Sequence, residues 1–330
     1  MTFSRSAIGV VLAAFIASLS PSVSAQQKID LAIFHPERNA WTTTLKWWIE
    51  EVDKATKSRV KVTPHYAGAL VSINETFKAV REGAVPAGVI AMGVVTGQVP
   101  AVASLEAIGG LPDKPKDFIE ATAALRPVLE DQFRKLNVEY LWSQGSTALI
   151  VLCRDRHLRS PADWKGRKVR TAGRWQAVQI GALGASPVSL DPAEQYLALQ
   201  NGTIDCALSN SVLAVAAKLH EVGPKITVLR LPVNLSAYIM NKGIYDKLTA
   251  ADRAAMRRLG MEAEKRSAPY LDQMQNEAQS QMKAQKADIY ILSDAEMASF
   301  RKGISPAFAK MAAEGGEAGK QIQAVLKRYW

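Results

Sequence analysis

The fold class is decided by residues 168–208, which read KVRTAGRWQAVQIGALGASPVSLDPAEQYLALQNGTIDCAL. In this stretch short strand-like runs alternate with helical segments, the second of which ends at Gly202. The predicted strands are residues 168–170, 186–190 and 204–208, and the predicted helices are residues 175–183 and 193–201. Because strands that alternate with helices form largely parallel sheets, this stretch predicts an α/β fold.

The same alternation begins at residues 29–34 and gives way late in the chain to one long helical pattern. Thr249 and Asp252 resemble a capping box at its start. An unbroken helix over residues 250–286 would extend about 55 Å, which exceeds the width of one ordinary domain. Pro269 should kink this helix, since proline removes one backbone hydrogen bond.

A helix of this length predicts two lobes that share it, with a ligand cleft between them that closes by a hinge motion. We assign residues 26–147 and 236–275 to lobe I, and residues 148–235 and 276–330 to lobe II. Ligands of such sheets bind outside the carboxyl ends of the strands, so we expect the site there.

The N-terminus has the pattern of a secretory signal peptide. Arg5 supplies the positive charge, and residues 7–18 form an apolar stretch. As a helix this stretch would rise only about 18 Å, too little to cross a bilayer core of about 30 Å. Small residues precede Gln26, so we expect cleavage after Ala25 and export from the cytoplasm.

A second uncharged stretch, residues 84–105, also resembles a membrane span at first sight. It contains three glycines and two prolines, which are too many helix-breaking residues for a membrane-spanning helix. The pattern instead predicts a buried strand over residues 87–92, followed by a glycine-rich loop.

Composition and motifs exclude several function classes. The chain has 330 residues, 48% of them hydrophobic, and a formal net charge of +10, as in an ordinary globular protein. It lacks the nucleophile-elbow, zinc-protease and phosphate-loop motifs, and its four histidines have no ligand-like spacing. Only Trp164 interleaves with the basic run over residues 154–170, so nucleic acid is not an expected partner. We therefore predict that the protein has no catalytic residues and binds no metal or cofactor. We also predict that it is a monomer.

Cys153 and Cys206 both fall on predicted strands of the same half of the chain. An oxidising compartment permits a disulfide between them, but the sequence does not give the separation of the two sulfurs. Both states stay open at this point, and two free buried cysteines are the favoured interpretation.

Arg170 differs from the other basic residues of its run, because it lies inside a predicted strand that leads into a helix. A partly buried arginine needs a carboxylate partner, which either the protein or a ligand supplies. Its planar guanidinium binds a carboxylate through two hydrogen bonds, which lysine cannot do.

Three blocks around Arg170 carry a resemblance to a known family. They are SPADWKGRKVR at residues 160–170, GASPV at residues 184–188 and EQYLALQNGTID at residues 194–205. In this order they resemble the solute-binding proteins of tripartite ATP-independent periplasmic (TRAP) transporters, the DctP-type family. The resemblance implies a two-lobed periplasmic-binding-protein architecture whose cleft captures an organic anion, usually a carboxylate, and whose partners are the TRAP membrane permease subunits.

The resemblance also nominates site residues. Arg170 matches the main carboxylate anchor, and the next ligand contact would be Ser209 or Asn210. The loop after the first strand nominates His35 and Asn39, and the loop after the third predicted strand nominates the region of Met92. Some members have a second arginine where this chain has Ile150, so either the ligand does not have two tightly held carboxylates or another cation replaces this arginine. Candidates for that role or for the pocket wall are Arg174, Trp175 and Trp142.

Two other functions remain open. The same bilobed architecture would serve as a ligand sensor that reports to a histidine kinase. A periplasmic enzyme acting on a small acid is the other alternative, against which the lack of a nucleophile and base pair argues.

Overall fold

The computed structural model describes residues 26–37, 41–112, 114–190, 194–232 and 235–329. The predicted signal peptide and the candidate Asn39 lie outside the described residues. The strands are β1 (Gln27–Ala32), β2 (Val60–His65), β3 (Ala87–Ala91), β4 (Val138–Gly145), β5 (Ala148–Cys153), β6 (Lys168–Thr171), β7 (Ser186–Ser189), β8 (Cys206–Asn210), β9 (Lys225–Pro232), β10 (Leu235–Asn241) and β11 (Asp288–Ile291). The helices are α1 (Trp41–Ala55), α2 (Ile73–Glu82), α3 (Met92–Val95), α4 (Ala103–Glu106), α5 (Pro115–Arg134), α6 (Arg174–Ala182), α7 (Gln195–Gln200), α8 (Ser211–Ala216), α9 (Leu219–Val222), α10 (Lys242–Asp246), α11 (Ala250–Ala284), α12 (Asp294–Ile304), α13 (Pro306–Glu314) and α14 (Gly316–Leu326). Short 3-10 helices form at Pro100–Val102, Pro161–Trp164 and Lys327–Tyr329.

Each lobe is built on one sheet, with the strand order β2-β1-β3-β10-β4 in lobe I and β11-β9-β5-β8-β6-β7 in lobe II. Among the described strands, only β10 in lobe I and β5 in lobe II run against their neighbours. Both begin just after the chain has crossed from the other lobe, so they start at the edge where the other strands end. The predicted two-lobed α/β fold with mostly parallel sheets is confirmed.

Helices cover both faces of each sheet. The neighbouring β3 residues Val89 and Ile90 point into different buried clusters, as the alternation of side chains along a strand requires. Helices α2 and α5 contribute Phe77 and Leu125 to one of these clusters, and α1 contributes Trp48 to the other. In lobe II the helical residues are Ile180 of α6 and Phe300 of α12 on one side, and Leu219 of α9 and Met282 of α11 on the other.

The long helix α11 joins the two lobes, as predicted. It runs for 35 residues, or about 52 Å, and continues through Pro269. Its first half lies on β4, where a Cβ on Gly260 would come within 2.7 Å of the Leu141 carbonyl oxygen. Glycine therefore allows this close approach, while Met282 near the other end packs in the core of lobe II. No helix in the described ranges is both long and apolar enough to cross a membrane.

The stretch after β3 folds differently from the predicted glycine-rich loop, which was wrong. Helix α3, the 3-10 helix Pro100–Val102 and α4 follow one another here. Ala101 and Leu105 are buried in the core of lobe I. Pro100 begins its helix without loss, because the first helical N–H has no partner within the helix. The lack of charge in this stretch therefore reflects burial in a short-helix layer.

The C-terminal helices contact both lobes. Helix α13 packs against α6 of lobe II, whereas Ile322 and Leu326 of α14 are buried in the lobe I core beside α5. The lobe boundaries that we drew from the sequence stay a prediction.

Cys153 of β5 and Cys206 of β8 form a disulfide, with their sulfurs 2.09 Å apart. The interpretation as two free buried cysteines was therefore wrong. The two residues lie directly opposite each other in the antiparallel ladder, which brings their side chains together. The register of two strands whose cysteines are 53 positions apart is the information that the sequence lacked.

Replacing both cysteines by alanine is expected to lower the free energy of unfolding by about 2–4 kcal/mol, because the disulfide restricts the unfolded chain. Urea unfolding of the mature chain measures this. The wild type with reductant is the matched control, and it should unfold at nearly the same urea concentration as the double variant. Equal midpoints for the oxidised and reduced wild type would contradict the prediction.

Candidate functional site

The carboxyl ends of strands from the two sheets meet at the hinge. Strands β1, β3 and β4 end at one edge of the lobe I sheet, and β6, β7 and β8 end at one edge of the lobe II sheet. Residues 146–147 join β4 to β5, and Leu149 of β5 lies opposite Asn210 at the end of β8. The two edges therefore lie on either side of the same short crossing, where ligands of α/β sheets bind.

Arg170 lies at the lobe II edge, inside β6 as predicted, and only 4% of it is exposed. Its Nε donates a hydrogen bond to the carbonyl oxygen of Leu190 at 3.0 Å. One terminal nitrogen donates to the carbonyl oxygen of Leu208 at 3.0 Å. These bonds to residues beside β6 fix the plane of a buried, permanently charged fork at the edge of the sheet.

The two candidates at the end of β8 have different surroundings. Asn210 caps α8, since its side-chain oxygen accepts a hydrogen bond from the Leu213 backbone N–H at 2.9 Å. Ser209 is 5% exposed, and its Oγ has no hydrogen-bond partner among the described residues. The Asn210 side-chain oxygen is therefore engaged in capping α8, whereas the Ser209 hydroxyl is available to a ligand.

His35 follows β1 at the lobe I edge and lies among aromatic rings. Its ring centroid is 5.3 Å from that of Phe34, 5.6 Å from that of Trp41 and 6.5 Å from that of Tyr66. Burial lowers the pKa of His35, outweighing the opposite effect of a hydrogen bond to the Pro36 carbonyl. The imidazole is therefore neutral near pH 7, and its Nε2 has no partner in the described part of the chain.

The other candidates have side chains that are engaged elsewhere. Met92 is buried in the lobe I core. Trp175 packs in an apolar cluster with Phe308. Arg174 forms an ion pair with Glu314, with two contacts of 2.8 and 3.0 Å. Trp142 stacks on Tyr238 with ring centroids 3.7 Å apart, and Ile150 is fully buried.

Several polar residues at these strand ends were missed by the sequence reasoning. Each is nine-tenths buried or more and keeps a side-chain atom that no described residue satisfies. Gln144 is the second-last residue of β4, Thr147 lies in the crossing, and Ser211 follows β8. Gln176 lies in the first turn of α6, after β6, and Gln195 begins α7, after β7. No shared sequence pattern marks these residues, because their burial and their lack of a partner depend on how the strands and helices pack.

Glu106 connects α4 to the helix that follows Arg170. It is buried, and its carboxylate accepts hydrogen bonds from the backbone N–H groups of Trp175 and Gln176 at 3.2 and 3.4 Å. Burial raises the pKa of Glu106 to about 8, although these two hydrogen bonds act in the opposite direction. Gln179 of the same helix makes two further bonds to the backbone of Ile108. The start of α6, and with it the Arg170 edge, is thus held in place.

The described ranges contain no cluster of three or more His, Cys, Asp or Glu side chains suited to a metal ion.

Comparison with known proteins gives consistent results. Residues 31–315 match the family model described as bacterial extracellular solute-binding protein, family 7. A solute-binding protein of Albidiferax ferrireducens is 28% identical over 225 residues, which cover 65% of this chain and 64% of that protein. Two solved structures share the fold. DctP6, a Bordetella pertussis extracytoplasmic solute receptor binding pyroglutamic acid, is 21% identical with a TM-score of 0.82, covering 92% of this chain and 100% of that chain. A TRAP periplasmic solute binding protein from Chromohalobacter salexigens with bound D-glucuronate is 20% identical with a TM-score of 0.81, covering 91% and 99%.

Proposed function

Because this chain belongs to the bacterial extracellular solute-binding protein family 7, a family of TRAP-type receptors, we propose that it captures a small organic carboxylate in its cleft. It would deliver this ligand to a TRAP membrane permease. The predicted signal peptide, cleaved after Ala25, would take the chain to the periplasm.

One observation carries the proposal: Arg170 is a buried guanidinium whose plane is fixed by two carbonyl groups at the edge where the lobes meet. A guanidinium held in a fixed plane can bind a ligand carboxylate through two parallel hydrogen bonds, which are among the stronger polar contacts in proteins. The bound ligands of the two structural relatives, pyroglutamic acid and D-glucuronate, are both carboxylates. They support the same ligand class for this chain.

Closure of the cleft would follow from contacts on both sides of the ligand. Arg170 and Ser209 belong to the lobe II edge, and His35 belongs to the lobe I edge. A ligand that touches both edges binds the closed state more tightly than the open state, and it shifts the population by that difference alone. The closed state is the form that a permease would recognise.

A thermal-shift screen of organic acids on refolded, ligand-free mature chain tests the function. A ligand at one hundred times its Kd should stabilise the folded state by about 2.7 kcal/mol and raise the melting temperature accordingly. Neutral sugars and organic cations are the controls. If these shift the melting temperature and no carboxylate does, the proposed function is wrong.

A further inference from the structure

The side-chain polar atoms that lack a described partner near the strand ends of the two lobes are numerous and uncharged. On the lobe II side, Ser209 Oγ, Ser211 Oγ and the amide of Gln195 have no partner within the described ranges, and all three residues are at least nine-tenths buried. Gln195 has neither its amide nitrogen nor its amide oxygen engaged. These groups offer both donors and acceptors, as hydroxyl and amide groups on a ligand require.

The lobe I side has the same character. Gln144 is 2% exposed, and its side-chain oxygen accepts a hydrogen bond from the Tyr238 hydroxyl while its amide nitrogen has no described partner. His35 Nε2 and the Tyr66 hydroxyl are also buried and have no hydrogen-bond partner among the described residues. His35 lies among aromatic rings at the end of β1 and is uncharged. The crossing between the lobes adds the Thr147 hydroxyl.

These atoms restrict what can bind beside the carboxylate. A ligand with a hydrocarbon body would close over them without giving hydrogen bonds, and each buried polar atom left without a partner weakens binding. A second carboxylate would meet uncharged groups here, and an unpaired buried charge is costlier still. Hydroxyl or amide groups on the ligand satisfy the same atoms and add specificity.

We propose that the ligand is a monocarboxylate whose body is uncharged and rich in hydroxyl or amide groups, with Gln144 and Gln195 as specificity-determining residues from the two lobes. This inference rests on the proposed function, because it assumes that Arg170 binds the carboxylate. Two sources share the chemistry, sugar acids and cyclic amide acids.

Titration calorimetry with matched pairs of acids tests the inference on the mature chain. D-Gluconate is paired with hexanoate, and pyroglutamate with cyclopentanecarboxylate, so that each pair shares its chain length or ring size. We expect the polar member of at least one pair to bind ten times more tightly or better, and the pair that does so distinguishes sugar acids from cyclic amide acids. Hexanoate, cyclopentanecarboxylate, benzoate or succinate binding as tightly as the better polar acid would overturn the inference.

Variants locate the effect in the two amides. Gln144→Met and Gln195→Met should each weaken the polar acid at least tenfold and change its apolar partner less than threefold. Gln273→Met, at an exposed position of α11, is the matched control and should change neither. Loss of both acids to the same extent in the Gln144 and Gln195 variants would overturn their role. The wild-type pairs decide the ligand class even if a variant fails to fold.

The binding data distinguish a failure of this inference from a failure of the proposed function. If hexanoate binds and gluconate and pyroglutamate do not, the carboxylate function stands and this inference falls. If no carboxylate binds, the proposed function falls first and the inference falls with it.

Discussion

Arg170→Met is expected to weaken the binding of the organic carboxylate about 30- to 4,000-fold, which corresponds to about 2–5 kcal/mol. The guanidinium is buried and held by the carbonyl oxygens of Leu190 and Leu208, so it is already oriented before a ligand arrives. Removing it leaves the ligand carboxylate buried without its countercharge, which accounts for most of the loss. The measurement is a calorimetric titration with the best acid from the thermal-shift screen.

Arg170→Lys separates charge from geometry. Lysine keeps the positive charge, but it cannot donate in parallel to a carboxylate or bridge the two carbonyl groups as the guanidinium does. We therefore expect its affinity to lie between that of the wild type and that of Arg170→Met. An affinity equal to the wild type would show that charge alone is sufficient.

The matched control is Arg154→Met, an exposed arginine just past the end of β5 in the same lobe. It should bind the acid as the wild type does, because β5 runs away from the hinge and ends at the opposite edge of the sheet. Melting curves without ligand check that each variant is folded. If folded Arg170→Met keeps wild-type affinity, the carboxylate lies elsewhere.

The position of Arg170 could be predicted because two local signals agreed, a strand pattern and a family motif around it. Choosing between Ser209 and Asn210 as the ligand contact also required knowing which side chain is hydrogen-bonded within the protein. The capping bond from Asn210 to Leu213 depends on where α8 begins, which the sequence does not fix to one residue. Sequence reasoning alone therefore could not tell which of the two side chains was already engaged.

Contacts between residues far apart in the sequence are the second reason why the structure differs from the sequence-based predictions. Arg174 forms an ion pair with Glu314, which is 140 residues away in the chain, so no local pattern could predict that this arginine is engaged. The disulfide between Cys153 and Cys206 depends on strand register in the same way. In contrast, Gln144 was missed for lack of any motif: a buried amide without a partner can be recognised only when its surroundings are known. Local pattern predicts the elements, and contacts distant in sequence decide which side chains remain for a ligand.

Glu264→Gln is expected to lower the free energy of unfolding by about 3 kcal/mol, the lower end of the range for a buried ion pair broken on one side, because the partner Arg126 keeps a contact of 3.4 Å with Glu130. Glu264 lies on α11 and is 4% exposed, and its carboxylate is 2.7 Å from a terminal nitrogen of Arg126 on α5. It also accepts hydrogen bonds from the Tyr140 hydroxyl and the Ser143 backbone N–H, both on β4 and both at 2.9 Å.

The matched control is two residues away on the same helix. Glu262 pairs with Arg258 at 3.0 Å, but both side chains are about half exposed. Exposed pairs of this spacing contribute roughly 0.3–0.5 kcal/mol, so Glu262→Gln should leave the unfolding midpoint nearly unchanged. Urea unfolding of both variants compares a buried pair with an exposed one at nearly the same place in the fold.

The contrast also tests how α11 holds the lobes together. Glu264 fixes the helix to lobe I, and farther along the helix the Gln275 side chain accepts a hydrogen bond from the Ala148 backbone N–H at 2.6 Å, at the crossing itself. Loss of the Glu264 anchor should therefore loosen the edge where the ligand binds, in addition to lowering stability. Folded Glu264→Gln at low temperature should bind the acid more weakly than Glu262→Gln does. Equal stability of the two variants would mean that β4 and α5 hold α11 without this carboxylate.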